Sequence, residues 1–201
     1  MPPVRTRTKA EQGEATRAKL VRVSRQLFAT RGYAKTSIQD ITRRAKVTRG
    51  ALYHHFADKR DVFLAVFEDV ERDLGMRIGA AVAEEKRPER RLKTGLNAFL
   101  DACLDRDVQR IVLIDAPSVL GWDTWHEIDA AYGLGMTRQG LEQAMADGVI
   151  VRTDPEPLAH LLLGALNEAG LAIARADDVQ AARRRFGRSL ERLIDGLRPS
   201  A

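Results

Sequence analysis

The sequence has little of what secreted, disulfide-stabilised or membrane-spanning proteins require. Among its 201 residues there is one cysteine, Cys103, so no internal disulfide can form and a reducing compartment is favoured. No uninterrupted apolar run approaches the ~18 residues of a membrane span, and no apolar core follows the basic residues near the N-terminus. We therefore expect a cytoplasmic protein that makes no membrane contact.

Signatures of catalysis and of metal binding are lacking as well. The chain has no nucleophile elbow and no glycine-rich phosphate loop. His126-Glu127 does not continue to the second histidine of an H-E-x-x-H zinc motif. The adjacent His54 and His55 would project about 100° apart on a helix, which disfavours a shared metal ion. These absences predict a protein that is not an enzyme and that holds neither a cofactor nor a metal ion.

The charge that is present is unevenly distributed. Residues 1–60 hold 15 Lys and Arg against 4 Asp and Glu, a net charge of +11, whereas the remainder holds 18 against 24, a net charge of −6. A basic region on an acidic remainder is typical of a protein that binds nucleic-acid phosphates through one region only. Charge alone leaves open a solvated basic surface without a partner.

Two short helices joined by a tight turn are predicted between residues 36 and 59. Ser37 can cap the first of them together with Asp40, and the turn falls near Lys46. Thr48 can then cap the second helix. This arrangement is the helix-turn-helix motif of DNA-binding proteins.

The second of these helices has one apolar face and one polar face. Leu52 and Phe56 stand four residues apart and are expected to face inward. The opposite face carries Arg49, Gly50, Tyr53 and His54. A helix that presents small, aromatic and basic residues suits the major groove of DNA, where such side chains reach phosphates and base edges.

Several segments of this region together resemble the TetR (tetracycline-repressor) family of bacterial transcription regulators. The segments lie within residues 16–70 and are 27–33, 36–37, 50–56 and 58–59. The resemblance implies an all-α fold, with an N-terminal three-helix helix-turn-helix domain and a C-terminal helical bundle for ligand binding and dimerisation. TetR-like proteins usually have glycine in the turn where this chain has Lys46, so a left-handed backbone there should cost about 1 kcal/mol.

The predicted DNA contacts follow from the helix-turn-helix and from the resemblance. Arg49 is placed to reach a base edge or a phosphate. Matching family positions imply that Tyr53 and His55 hold the DNA backbone and that Lys59 meets a phosphate. The complete predicted set is Ser37, Arg43, Thr48, Arg49, Gly50, Tyr53, His54, His55 and Lys59.

Beyond this region the chain shows the periodicity of one helix after another, which predicts an all-α fold in three parts. These are a flexible basic tail at residues 1–14, the DNA-binding domain at 15–58, and a ligand-binding and dimerisation domain at 59–201. The tail is either inert or an arm whose Arg5, Arg7 and Lys9 reach a minor groove. Helices are predicted near 15–31, from residue 59 onward, and near 88–103, 105–117, 121–147, 154–176 and 178–197.

The last two predicted helices carry wide apolar stripes that include small residues. A core within one chain explains part of each stripe, but two such helices from each of two chains would form a four-helix interface, as in TetR-like proteins. We therefore predict a homodimer. The predicted interface residues are Leu162, Leu166, Ala169, Phe186, Leu190 and Leu193.

The middle helices concentrate aromatic and sulfur-containing residues, including both tryptophans of a chain that is 5% aromatic. Pockets between bundled helices are commonly built from such residues. The alternative is that aromatic residues at helical spacing belong to the core and touch no ligand. The predicted ligand-binding residues are Phe99, Cys103, Trp122, Trp125, Tyr132 and Met136.

Together these features predict a one-component transcription regulator that acts as a repressor. Its dimer would bind a near-palindromic, double-stranded operator, and a small apolar ligand of unknown identity would release it by shifting the fourth helix. Two other classes remain open. An architectural DNA-binding protein would show no thermal response to ligands, and a helical enzyme would keep its turnover after deletion of residues 1–58.

Overall fold

The computed structural model describes residues 8–199, which form helices joined by short connections. The helices are α1 (Lys9–Arg31), α2 (Ile38–Ala45), α3 (Arg49–Tyr53), α4 (Lys59–Glu84), α5 (Pro88–Ala102), a π-helical segment (Val108–Asp115), α6 (Ala116–Leu120), α7 (Trp122–Ala146), α8 (Pro155–Ala174) and α9 (Val179–Asp195). Residues 8–199 contain no strand, and the all-α prediction is confirmed. We call α1–α3 the head, and we call the helices from α5 onward the body.

Helix α4 belongs to both parts, because aromatic residues join its first turns to the head. The ring of Phe63 on α4 meets Phe28 of α1 edge-on at 5.2 Å and meets Tyr33 at the same centroid separation of 5.2 Å. Burial of three aromatic rings in edge-to-face contact stabilises the packing beyond its area alone. Other fully buried residues of this core are Leu20, Ile41, Leu52 and Phe67. The core of the head therefore includes residues of α4.

Helix α1 begins earlier than the sequence patterns predict. The hydroxyl of Thr8 accepts a hydrogen bond from the Glu11 amide at 3.2 Å, and the Glu11 carboxylate accepts one from the Thr8 amide at 2.7 Å. This capping box satisfies the first free amides of the helix. The prediction of a flexible tail was thus wrong for residues 9–14, which are polar because they lie on exposed positions of a helix. Arg5 and Arg7 lie outside the described residues.

The prediction of one helix over 105–117, ending at Pro117, was also wrong. The backbone is π-helical over Val108–Asp115, since the amide of Ala116 donates to the carbonyl of Ile111. Pro117 then stands in the first turn of α6, directly after the π-helical segment. The chain breaks instead at Gly121, whose φ of 85° favours glycine.

The remaining body helices agree with the predicted ranges 88–103, 121–147, 154–176 and 178–197 to within a few residues. Helix α8 is, by length and composition alone, apolar enough to cross a membrane. Eight of its residues, among them Ala159, Leu166 and Ile173, are nevertheless buried against its own chain, as in the core helix of a folded bundle.

Candidate DNA-binding head and ligand cavity

The turn of the helix-turn-helix is built as the sequence indicates. The Ser37 hydroxyl accepts from the Asp40 amide at 3.1 Å, and the Asp40 carboxylate accepts from the Ser37 amide at 3.1 Å. Lys46 then has φ 53° and ψ 48°, the left-handed conformation that glycine usually supplies. Its amide donates to the Arg43 carbonyl at 3.2 Å, which closes α2. The predicted left-handed turn is confirmed.

Helix α3 presents its polar face to solvent. The Thr48 hydroxyl accepts from the Ala51 amide at 3.1 Å and so caps the helix. Leu52 is fully buried, as predicted, and Arg49, Gly50, Tyr53 and His54 are exposed. The guanidinium of Arg49 lies 5.4 Å from the centre of the Tyr53 ring, and its Nη2 donates to the Tyr53 hydroxyl at 3.2 Å. These two side chains therefore form one donor-rich surface at the front of α3.

The other predicted DNA contacts differ in how freely they project. The Arg43 side chain is 77% exposed and pairs only with Asp40, at 2.5 Å, among the ion pairs found in residues 8–199. His55 is half-buried, and burial, then the neighbouring His54 and Arg17, lower the pKa of its imidazole. The ammonium of Lys59 lies 3.9 Å above the Tyr33 ring and donates to the Tyr33 carbonyl at 3.1 Å. His55 and Lys59 are therefore held by the protein itself.

The body contains a cavity of about 450 Å³ between α4, α5, α7 and α8. Its inner end is closed by buried side chains, and its outer end opens between exposed ones. Those at the inner end are Glu71, Phe99, Asp129 and Leu166, and those at the outer end are Ala83, Pro88, Gln143 and Asp147. The walls between them are apolar and include Leu74, Ile78, Leu92, Leu96 and Met136.

Three of the predicted ligand-binding residues, Phe99, Tyr132 and Met136, line this cavity. The other three are not among the residues that line it. Cys103 is fully buried elsewhere, and its burial raises the pKa of the thiol to about 12. Trp122 is 62% exposed and stacks on His126. Trp125 lies in the core, described next.

Trp125 is 1% exposed, and its indole Nε1 donates to the carbonyl of Val112 at 3.1 Å. In the π-helical register this carbonyl would accept from residue 117, and Pro117 has no amide proton. The indole thus supplies the hydrogen bond that the proline removes. Trp125 has a structural task that accounts for its type and position.

Two buried carboxyl groups at the inner end of the cavity were missed by the sequence analysis. Glu71 of α4 is 4% exposed and Asp129 of α7 is 6% exposed. Each lies four residues after a buried aromatic residue, Phe67 or Trp125, and so falls on the inward face of its helix. A charged residue within an apolar stripe was the signal that could have revealed them. No cluster of three or more candidate metal ligands occurs within residues 8–199.

The predicted interface residues divide into buried and exposed groups. Leu162, Leu166, Ala169 and Leu190 are all buried within their own chain and offer little surface to a dimer contact. Phe186 is half-buried, and Leu193 is 61% exposed. Leu161 of α8, which lies in the same apolar stripe but outside the predicted set, is 72% exposed. Helices α8 and α9 thus each expose one large apolar side chain.

The π-helical segment and α4 tie the head to the body through ions and backbone groups. Arg25 of α1 donates to Asp107 at 2.8 Å and to Asp69 of α4 at 3.1 Å. The carboxylate of Asp115, which is 8% exposed, accepts from the Tyr33 amide at 2.7 Å. These contacts are hydrogen bonds to charged groups at partly buried positions, and such bonds are stronger there than at the surface. Movement of the segment would therefore reach the head directly.

Comparison with known proteins covers both parts of the molecule. The family models "Bacterial regulatory proteins, tetR family" and "Tetracyclin repressor-like, C-terminal domain" match residues 20–66 and 90–197. The crystal structure of a TetR-family transcriptional regulator from Pectobacterium atrosepticum is 35% identical, covers 96% of this chain and 99% of that chain, and gives a TM-score of 0.85. The chain belongs to the TetR family. It is a DNA-binding transcription regulator, and the resemblance noted in the first third of the sequence is confirmed.

Two further relatives show how similarity is distributed in this TetR-family protein. The transcriptional repressor BepR of Brucella suis biovar 1 is 43% identical over 60 residues, which are 30% of this chain and 28% of that one. RolR in complex with its ligand resorcinol gives a TM-score of 0.69 at 22% identity and covers 96% of this chain and 99% of that chain. BepR and the regulator from Pectobacterium atrosepticum are transcription regulators and not enzymes. The chain spans less than a third of the repressor's length, and the second likeness shows the fold alone.

Proposed function

We propose that the protein is a homodimeric, cytoplasmic repressor that leaves its operator when a small molecule occupies the cavity between α4, α5, α7 and α8. One observation carries this proposal: α4 is shared. Phe63 in its second turn packs in the core of the head, and residues from Glu71 to Ala83 form one wall of the cavity. A helix of 26 residues is a stiff rod about 39 Å long, so displacement of the wall moves the head.

Features of the head support operator binding with α3 in the major groove. Its exposed face carries Arg49 and Tyr53, and Arg43 of α2 projects nearby with Ser37 and Thr48 at the two helix starts. Two heads of a symmetric dimer would reach half-sites about 34–36 Å apart, which makes the operator near-palindromic. The likeness of this region to a named repressor supports repression over activation.

A second connection would carry ligand-induced movement through α7. Trp125 of α7 holds the carbonyl of Val112 in the π-helical segment, and Asp115 of that segment and Asp107 just before it hold the head. Because α7 also forms a cavity wall through Tyr132 and its neighbours, a ligand acts on both connections together. Ligand binding then favours a spacing of the heads that does not fit the operator.

The dimer would form through the exposed faces of α8 and α9. Leu193→Glu places a carboxylate where two apolar surfaces meet, and we expect the dimer dissociation constant to rise at least tenfold in analytical ultracentrifugation. Met76, exposed on α4 at 62%, provides the matched control, and Met76→Glu should remain dimeric. An unchanged dimer with Leu193→Glu would place the interface on another face.

The operator can be found and the release tested in one experiment. Selection from randomised duplexes should yield an inverted repeat, and fluorescence anisotropy should show that the dimer binds it in one step. Compounds that raise the melting temperature should also weaken this binding. At 100 times its dissociation constant such a ligand stabilises the fold by about 2.7 kcal/mol if it does not bind the unfolded chain. Ligands that stabilise the protein and leave operator affinity unchanged would contradict the proposed release.

A further inference from the structure

Glu71 closes the inner end of the cavity with a carboxyl group that the protein leaves unsatisfied. Among residues 8–199, no donor lies within hydrogen-bonding distance of its buried Oε1 atom. Asp129 beside it is only partly satisfied, since one of its oxygens accepts from the Asn167 amide at 2.6 Å. Buried polar groups in folded proteins nearly always have partners, so an orphaned carboxyl on a cavity wall indicates a partner from outside the chain.

The charged residues around the cavity indicate whether that partner carries a positive or a negative charge. Arg91 is the one Lys or Arg among the described residues of its lining, and its Nε donates to the Glu85 carbonyl at 3.1 Å, near the outer end. No cation therefore stands between Glu71 and Asp129. Burial and then the charge of Asp129 raise the pKa of Glu71 to about 8, so its carboxyl is mostly protonated at neutral pH.

We propose that the cavity binds an elongated organic cation, with a protonated amine or amidine against Glu71 and Asp129 and an apolar body along the walls. This inference rests on the proposed function, because it specifies the effector of the same cavity. The α4 positions from Glu71 to Ala83 extend over about 18 Å, enough for a body of some ten carbon atoms. The cation supplies the donor that Oε1 lacks and neutralises the carboxylate pair, whereas an anion would meet two carboxyl groups.

Three probes with one apolar body and different ends test the sign directly: decylamine, decanol and decanoate. In isothermal titration calorimetry with the full chain at pH 7, decylamine should bind at least tenfold more tightly than decanol, and decanoate most weakly. Decylamine should also release protons, because the bound cation ionises Glu71. The titratable neighbours of the Glu71 carboxyl are Asp129 on α7 and Cys103 after α5. The thiol of Cys103 stays protonated at this pH.

The decisive variant is Glu71→Gln, which keeps the shape of the side chain and removes its charge. The preference for decylamine over decanol should fall below threefold, and proton release should vanish. Glu68→Gln, on the same helix and outside the lining of the cavity, should keep both. A tenfold amine preference that survives in Glu71→Gln would overturn the inference, as would equal or tighter binding of decanol or decanoate by the wild type.

Operator binding separates this inference from the proposed function. Decylamine that binds with the expected preference and releases DNA supports both. If decylamine binds with the same preference but leaves the DNA complex intact, the result supports a cationic ligand and contradicts the release mechanism. Decanol that binds as tightly as the amine and releases DNA supports the release mechanism and overturns the cationic ligand.

Discussion

The head and the body hold their candidate functional residues on opposite sides of their helices. In the head, Arg49 and Tyr53 are exposed on α3 while Leu52 is buried beneath them. In the body, Glu71 and Phe99 face inward, among residues that form the core. Helical periodicity separates exposed from buried positions, so it separates function from packing in the head. It cannot do so in the body, where cavity wall and core occupy the same face.

The two parts also differ in how they treat buried or terminal polar groups. The helix starts of the head are satisfied by side-chain caps at Thr8, Ser37 and Thr48. Each part also leaves one buried oxygen without a partner among residues 8–199: the head a Ser24 hydroxyl within its core, and the body the Glu71 carboxyl on the wall of a cavity. An unsatisfied buried group costs about 1–3 kcal/mol, a loss of stability that a ligand could recover. We therefore propose that the head is a preformed reading surface and that the body keeps a site that ligand binding can stabilise.

The largest expected effect tests whether Trp125 belongs to the core or to the ligand site. Trp125→Ala should lower the free energy of unfolding by about 3–5 kcal/mol, because it leaves a cavity and frees the Val112 carbonyl. Trp122→Ala, at an exposed position, should cost less than about 1 kcal/mol. Urea denaturation followed by circular dichroism measures both. Equal, small losses would return Trp125 to the candidate ligand residues.

A second test uses pH to show that the orphaned group of the body opposes folding. The folded state holds a proton on Glu71 up to about pH 8, whereas the unfolded chain releases it near 4.5. The wild type should therefore lose stability as pH rises between these values, by at most about 1.4 kcal/mol per pH unit from this group. Glu71→Gln lacks this loss, so its stability relative to the wild type should increase from pH 5 to pH 8. If urea denaturation shows that the wild type and Glu71→Gln change in stability in parallel with pH, burial does not disfavour the ionised form of Glu71.

Much of the fold follows from local signals in the sequence. The caps at Ser37 and Thr48 and the left-handed Lys46 were predictable, since each depends on neighbours within a few residues. The start of α1 was missed because Thr8 and Glu11 form a capping box within a polar segment that lacks apolar periodicity. The hydrogen-bonding logic of such a cap is local, but its composition resembles that of a disordered tail.

The candidate site in the body was less predictable for a physical reason. Whether Phe99 or Trp125 meets the cavity depends on how α4, α5, α7 and the π-helical segment pack, and packing brings together residues distant in the chain. The π-helical register places the Val112 carbonyl where Trp125 can reach it, which no pattern within one helix reveals. Burial of Leu166 in the cavity wall likewise removes it from the surface that its apolar stripe suggested.

A third test concerns the reading surface of the head. Arg49→Ala should weaken operator binding by about 1–3 kcal/mol and relax sequence preference if its guanidinium reads a base. Lys59→Ala should weaken all sequences about equally and should also lower the melting temperature, since Lys59 holds Tyr33. Arg87→Ala, in the connection between α4 and α5, is a control that should change neither. Fluorescence anisotropy over a salt series measures operator binding, and thermal denaturation measures the melting temperature. Unchanged binding by both head variants would contradict the assignment of Arg49 and Lys59 as DNA contacts.

The smallest effect distinguishes backbone strain from charge at Lys46. With φ at 53°, a residue that carries a side chain is disfavoured by about 1 kcal/mol, and Lys46→Gly should raise the melting temperature by up to about 4 °C. The same variant removes a charge close to the proposed DNA surface and should weaken operator binding slightly. Lys46→Ala removes that charge and keeps the strain, so it should reproduce the weaker binding without the gain in stability. If calorimetry shows the same melting temperature for both variants, the left-handed turn stores no strain that glycine can relieve.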